Sequence, residues 1–242
     1  MPKRITQAFT IIGLFFGAIG TANAELPTSV TAAYQTYESA LNARDFEAAQ
    51  EAAFTAWQNA EAELGDAKTT GDLARNFADI SVYNDARFSK TRKAYKRSIE
   101  LADRYPSDRA LNVKLNRTVS FSIASLKNDK LRYMRRDLEK LIKAAERANF
   151  PPSTALAEAY TLRALSLDIS RDAKEIKSLG EKALAAFGAS EDAGASPLRA
   201  MAVDLANVNQ AGVAGLGNYY FTGSGEATAC CISAVSISPK VN

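Results

Sequence analysis

Residues 45–66 read DFEAAQEAAFTAWQNAEAELGD, and this run decides the fold class. Phe46, Ala49, Ala53, Ala56 and Trp57 recur at steps of three and four, which puts them on one face of an α-helix. Gly65 ends it. Forty-two residues on, Phe88, Tyr95, Ser98 and Ile99 stand where Phe46, Ala53, Ala56 and Trp57 stood. Ala144-Ala145 and Ala183-Leu184 take the same slot at spacings of 46 and 39. The surrounding chain has the same texture. Asp129 to Asn149 predicts the clearest helix, with Leu131, Met134, Leu138, Leu141, Ile142 and Ala145 as its apolar stripe, Asn128-Asp129 as its cap and Pro151-Pro152 as its stop. Ala86 to Tyr105 predicts another, ending before Pro106. Breaks at Gly65, Gly71, Asn84-Asp85, Pro106, Asn128-Asp129, Pro151, Asp168–Asp172 and Gly188–Pro197 divide the chain into about nine helices. Strand-like alternation occurs only in Thr118–Ser125 and near the C-terminus.

Helices of similar length in series, with small residues recurring, are the mark of a repeat architecture. The phrase beginning at Asp45 resembles the second helix of a tetratricopeptide-like repeat, in its longer form of about 42 residues per unit. The resemblance runs from about Val30 to Val213, with a last partial unit from Pro197 whose Leu205 and Ala206 face inward. Thr91 and Ile176 stand where the repeat has a small residue, and Ala40 where it has an aromatic. The resemblance implies an all-α fold, a right-handed solenoid of antiparallel helix hairpins, in which Ala49 and Ala56 mark the closest approach of two helices. The other reading of the alanine spacing is an irregular helical bundle. Stacked hairpins curve and create a concave binding surface. The resemblance puts the first helix of each pair on that surface, so Tyr34, Leu41, Asn76 and Tyr83 are the expected contacts to a protein or peptide partner. Core packing is the alternative for Tyr34 and Tyr83.

The ends differ from this middle. Lys3 and Arg4, an uncharged stretch rich in Ile, Leu and Phe, and Ala22-Asn23-Ala24 form the layout of a secretory signal peptide. Its apolar run, Phe9 to Ile19, is shorter than the ~20 residues a spanning helix needs. We therefore expect residues 1–24 to be removed after Ala24, residues 25–217 to form the helical-repeat domain, and the mature protein to be periplasmic or secreted. Residues 218–242 form a short irregular or β-prone tail, in which Gly223-Ser224-Gly225 is a link. Cys230-Cys231 are neighbours whose Cα atoms lie ~3.8 Å apart, below the usual disulfide range, so free thiols, an intermolecular bridge or a strained redox pair are open. The last seven residues, from Ser236, faintly resemble the opening of TonB-type C-terminal domains, which implies a truncated relative of repeat proteins that carry one.

At 47% hydrophobic and 24% charged the composition is that of a globular chain. The absence of histidine removes Ser-His and Cys-His nucleophile pairs and His-ligated metal sites. No cofactor and no metal are expected, and a binding protein is favoured over an enzyme. Two carboxylate pairs four residues apart, Glu47/Glu51 and Asp168/Asp172, leave a two-carboxylate hydrolase as the enzymatic alternative; as helix-surface pairs they need no such role. Charge is distributed unevenly. Residues 25–86 carry 3 basic and 11 acidic side chains, and residues 87–147 carry 18 basic and 7 acidic. Arg132, Arg136, Lys140, Lys143 and Arg147 follow one helical rhythm and form a candidate anion-binding patch. Opposed solvated faces explain the same pattern. The sequence thus points to an exported scaffold that binds a protein or peptide on its concave face. The alternative is an envelope module binding anionic lipid or polymer through residues 87–147. A head-to-tail contact between copies is a further option. Export argues against nucleic acid as the partner.

Overall fold

The computed structural model describes residues 26–84, 86–190, 196 and 198–207, together with the backbone of four short strands farther on. Between residues 26 and 207 the described fold is all-α, with nine α-helices. They are α1 (Thr28–Asn42), α2 (Phe46–Glu63), α3 (Lys68–Tyr83), α4 (Phe88–Glu100), α5 (Ser107–Lys127), α6 (Arg135–Arg147), α7 (Thr154–Leu165), α8 (Ile169–Ala189) and α9 (Leu198–Ala206). A 3-10 turn at Leu101–Arg104 extends α4, and another at Leu131–Met134 leads into α6. In the tail, β1 (Tyr219–Thr222) pairs antiparallel with β4 (Ser236–Pro239), and β2 (Ala227–Thr228) with β3 (Cys231–Ile232). The N-terminal 25 residues, the Gly223-Ser224-Gly225 link and the cysteine side chains lie outside the described residues.

Local chemistry sets the helix ends. Asp45 accepts a hydrogen bond from the Ala48 amide at 3.0 Å, Ser153 from Leu156 at 3.2 Å and Asp168 from Ser170 at 3.0 Å. Each satisfies an amide that the first helical turn leaves unpaired. Three helices stop by one device. After α1, α5 and α6 a residue enters the left-handed region, Arg44 (φ 58°), Asp129 (φ 55°) and Asn149 (φ 48°). The next amide then reaches back five residues: Asp45 to the Ala40 carbonyl, Lys130 to Ser125 and Phe150 to Ala145. This is a Schellman termination. Asn128-Asp129 therefore close α5 rather than cap the following helix, and a 3-10 turn replaces the first turn expected there.

Consecutive helices pack on one another along the chain, and α3 also touches α5, α5 touches α7 and α7 touches α9. The core is one cluster running from Val30 to Leu205. α7 lies at its centre: Ala155, Leu156, Ala157, Ala159, Tyr160, Leu162 and Ala164 are all buried, as expected of a helix enclosed on every side. Ala49 and Ala56 are both fully buried. Two expectations are corrected here. Gly71 does not break a helix. It lies inside α3, where an added Cβ would come within 2.8 Å of Leu101 Cβ and 3.0 Å of Arg117 Nη1, so glycine is required by close packing. Thr118–Ser125 is not a strand but the C-terminal half of α5. Leu115, Val119 and Ser122 share its buried face, and the Ser122 and Ser125 hydroxyls donate to the carbonyls four residues back at 2.7 and 2.8 Å. Such back-bonding lets a buried serine stay helical.

Candidate binding groove between α2 and α4

α2 and α4 lie side by side and leave an open groove of about 850 Å³ between them. They run in the same direction: Lys90 meets Phe54 near one end and Arg97 meets Glu61 near the other, each pair 36 residues apart. The floor is aromatic and apolar. Trp57 stacks on Phe77 of α3 and Phe54 meets the same ring at a tilt, centroids 5.6 and 5.0 Å apart, and Ala62 continues the wall. The volume lies within the range that holds drug-sized or peptide-sized ligands.

The rim is cationic. Lys90, Lys93, Lys96 and Arg97 come from α4, and the groove's carboxylates are Glu61 and Glu100. Both already belong to Arg97. Its guanidinium binds Glu61 through Nε at 2.8 Å and Nη2 at 3.0 Å, reaches Asp66 at 2.6 Å and approaches Glu100 at 3.4 Å. Trp57 Nε1 donates to the same Glu61 at 2.9 Å. The Arg97 guanidinium beside Glu61 holds that carboxyl below the usual carboxylate range. Lys90 rests 5.4 Å from the centre of the Phe54 ring. Among the described residues, Lys93 and Lys96 make no ion pair. The groove therefore holds three exposed positive charges over an apolar floor, with its own carboxylates already neutralised.

The start of α4 sharpens this. Arg87 stands at the N-cap without a side-chain cap, and the first turn has no acidic residue. A helix N-terminus already carries about half a positive charge, so cations there oppose folding and an anion relieves them.

The residues expected from sequence distribute differently. Leu41 is 3% exposed and belongs to the core, so it is removed from any binding face. Tyr34, Asn76 and Tyr83 are half-buried. Tyr34 packs against Tyr37 and Tyr83 against Phe46, with centroids 5.9 and 4.4 Å apart. The stripe of Arg136, Lys140, Lys143 and Arg147 is exposed along α6, with Lys143 bound to Glu139 at 2.7 Å, and Arg132 sits on the preceding 3-10 turn. None of these five residues lines the α2–α4 groove. The pair Asp168/Asp172 is used locally: Asp168 caps α8, while Asp172 accepts from the Asp168 amide at 3.2 Å and pairs with Arg135 at 3.6 Å. Sequence reading missed Lys90, Lys93 and Lys96 as a unit. Their i, i+3, i+6 spacing was visible, but the Phe54–Trp57 floor beside it was not.

Buried carboxylates lie elsewhere. Asp79 accepts from Tyr95 Oη at 2.5 Å and Arg75 Nε at 3.2 Å, and burial raises its pKa. Burial also raises Glu158, which accepts from Ser196 Oγ at 2.7 Å. A carboxyl raised by folding contributes stability in full below its unfolded value of about 3.9 and loses it as pH rises through the folded value. Asp79→Asn, permanently neutral, is therefore expected to gain stability relative to the parent chain as pH rises above about 4. Paired urea titrations measure this, and a difference constant with pH would contradict it.

The chain matches no protein-family model, and comparison with curated proteins finds no relative.

Proposed function

We propose that the chain is an exported, non-catalytic docking module, a stack of helix hairpins whose α2–α4 groove takes an anionic ligand with an apolar body. The observation that carries this reading is the combination of Lys90, Lys93 and Lys96 with the Phe54–Trp57 floor, where the nearby carboxylates already serve Arg97. Such a site favours a ligand that neutralises the rim and buries apolar surface on the floor. The hairpin stack is supported by the parallel course of α2 and α4 and by the contacts of α3 with α5, α5 with α7 and α7 with α9. It is supported further by the full burial of Ala49 and Ala56. In this arrangement the groove lies between the second helices of successive hairpins, away from the first-helix face on which Tyr34, Asn76 and Tyr83 were expected to act. Export rests on the Lys3-Arg4 start and the Ala22-Asn23-Ala24 site. A binding role rather than catalysis rests on a sequence without histidine and on the structural use of Asp168 and Asp172.

An anionic naphthalene sulfonate dye tests the reading. Its binding should weaken steeply as added salt shortens the screening length from about 10 Å at 0.1 M to about 3 Å at 1 M. Replacing Lys90, Lys93 and Lys96 together by Ser should weaken binding about tenfold and leave the melting curve unchanged, because exposed cations contribute little to folding. Equal dye affinity in parent and variant would end the reading.

A further inference from the structure

Resting on that reading of the groove, we infer that its occupant is an acidic amphipathic helix of a protein partner, laid along α4 with its apolar side on Phe54 and Trp57. The spacing of the rim decides the shape of the ligand. A helix rises about 1.5 Å per residue, so Lys90, Lys93 and Lys96 are spaced about 4.5 Å apart along the groove. Carboxylates three and four residues apart on a facing helix repeat at about 4.5–6 Å and stay opposite this ladder. On an extended strand the same-side repeat is about 6.6–6.8 Å, and its third charge falls roughly 4 Å out of step. The floor matches as well. Phe54, Trp57 and Ala62 lie along just over two turns of α2, which suits apolar anchors at i, i+3 or i+4, and i+7 of a docked helix.

The second observation is independent of the groove's shape. α4 begins with Arg87 and Lys90 on the positive end of its own dipole, with neither an acidic residue nor a side-chain cap in the first turn. This arrangement weakens the free helix and favours a bound anion. It also fixes polarity. The C-terminal ends of α2 and α4 share the Glu61–Arg97 end of the groove, so the partner helix runs antiparallel to them, its negative C-terminal end beside Lys90.

The test uses the purified full chain and three probes. The first is a 15-residue peptide with Leu at i, i+3, i+4 and i+7 and Glu on the flanking positions. The second has the same composition rearranged to alternate Leu and Glu. The third is a vesicle of phosphatidylglycerol. The expected result is that the helical peptide binds about tenfold more tightly than its alternating isomer and gains helicity on binding. Its affinity should fall about tenfold in the triple Ser variant. Arg87→Asp should raise the Tm of the free chain by about 3 °C by supplying the missing cap, while weakening the peptide about threefold. Equal binding of the two isomers, or binding of the vesicle without the helical peptide, overturns the helix and leaves the anionic groove standing. If none of the probes binds and the anionic dye also fails, the groove reading falls with it.

Discussion

Arg117→Ala is expected to lower the stability of the fold by about 4 kcal/mol. Arg117 is 1% exposed. It binds Asp72 of α3 and the Ser98 carbonyl of α4, and its guanidinium lies 5.3 Å over the ring of Tyr105, whose hydroxyl donates to the same Asp72 at 2.6 Å. One side chain from α5 thus fastens α3, α4 and Tyr105, the residue that follows the 3-10 turn after α4. Gly71 leaves the space it fills. Truncation removes these bonds and opens a cavity where three helices meet. Electrostatics sets only part of the cost, because Asp72 is 42% exposed and can hydrate once its partner is gone. For that reason Asp72→Asn should cost only about 1 kcal/mol, leaving Arg117 its carbonyl and ring contacts. Urea denaturation of the two variants measures the contrast, and equal losses would show that the carboxylate, not the buried cation, carries the junction.

Gly180→Ala is expected to cost about 3 kcal/mol and to release α9. Gly180 faces the backbone of α9 directly: an added Cβ would meet the Ala206 nitrogen, and would lie 2.7 Å from Leu205 C and 2.8 Å from Ala206 Cα. A backbone cannot turn aside as a side chain can, so α9 must move as a unit. Leu198, Met201, Ala202 and Leu205, all at or below 2% exposure, would lose their contacts. The opposing gain from replacing glycine within a helix is about 1 kcal/mol. The clash therefore wins. Gly188, in the same helix, has no atom within 4 Å of its added Cβ. Gly188→Ala should accordingly leave stability unchanged or raise it by up to about 1 kcal/mol. Thermal melts of both variants, with limited proteolysis between α8 and α9, compare a close approach with an open one. A Gly180→Ala protein that melts like Gly188→Ala would refute the contact.

Local patterns carried much of the fold. The three- and four-residue rhythm of α2 and α6 predicts their buried faces, and Leu138, Leu141, Ile142 and Ala145 are buried together. Other features depend on contacts that no local pattern encodes. Val119, Phe121 and Ile123 alternate as a strand would, yet α5 is helical because Leu115, Val119 and Ser122 are enclosed by neighbouring helices and the serine hydroxyls bond back along the chain. Arg44 and Asp129 end helices in a left-handed conformation uncommon outside glycine, closed by return bonds spanning five residues that no local pattern announces. The repeat register puts Leu41 on the concave surface, whereas it is buried in the core on α1, the helix that packs on α2. The site was half legible. The excess of cations in residues 87–147 is evident in the sequence, and the stripe along α6 stands out there because its periodicity is local. The groove needs Phe54 beside Lys90 and Glu61 beside Arg97, pairs brought together across 36 residues by the packing of α2 and α4 against α3.

Backbone amide shifts of the isotopically labelled chain, followed during titration with the Leu/Glu helical peptide, test the central claim most directly. We expect the largest changes at residues 54–62 and 87–97, with little change at Tyr34, Asn76 and Tyr83 or along Arg136 to Arg147. Changes concentrated on those first-helix tyrosines, or on α6, would move the binding surface away from the α2–α4 groove and contradict the account.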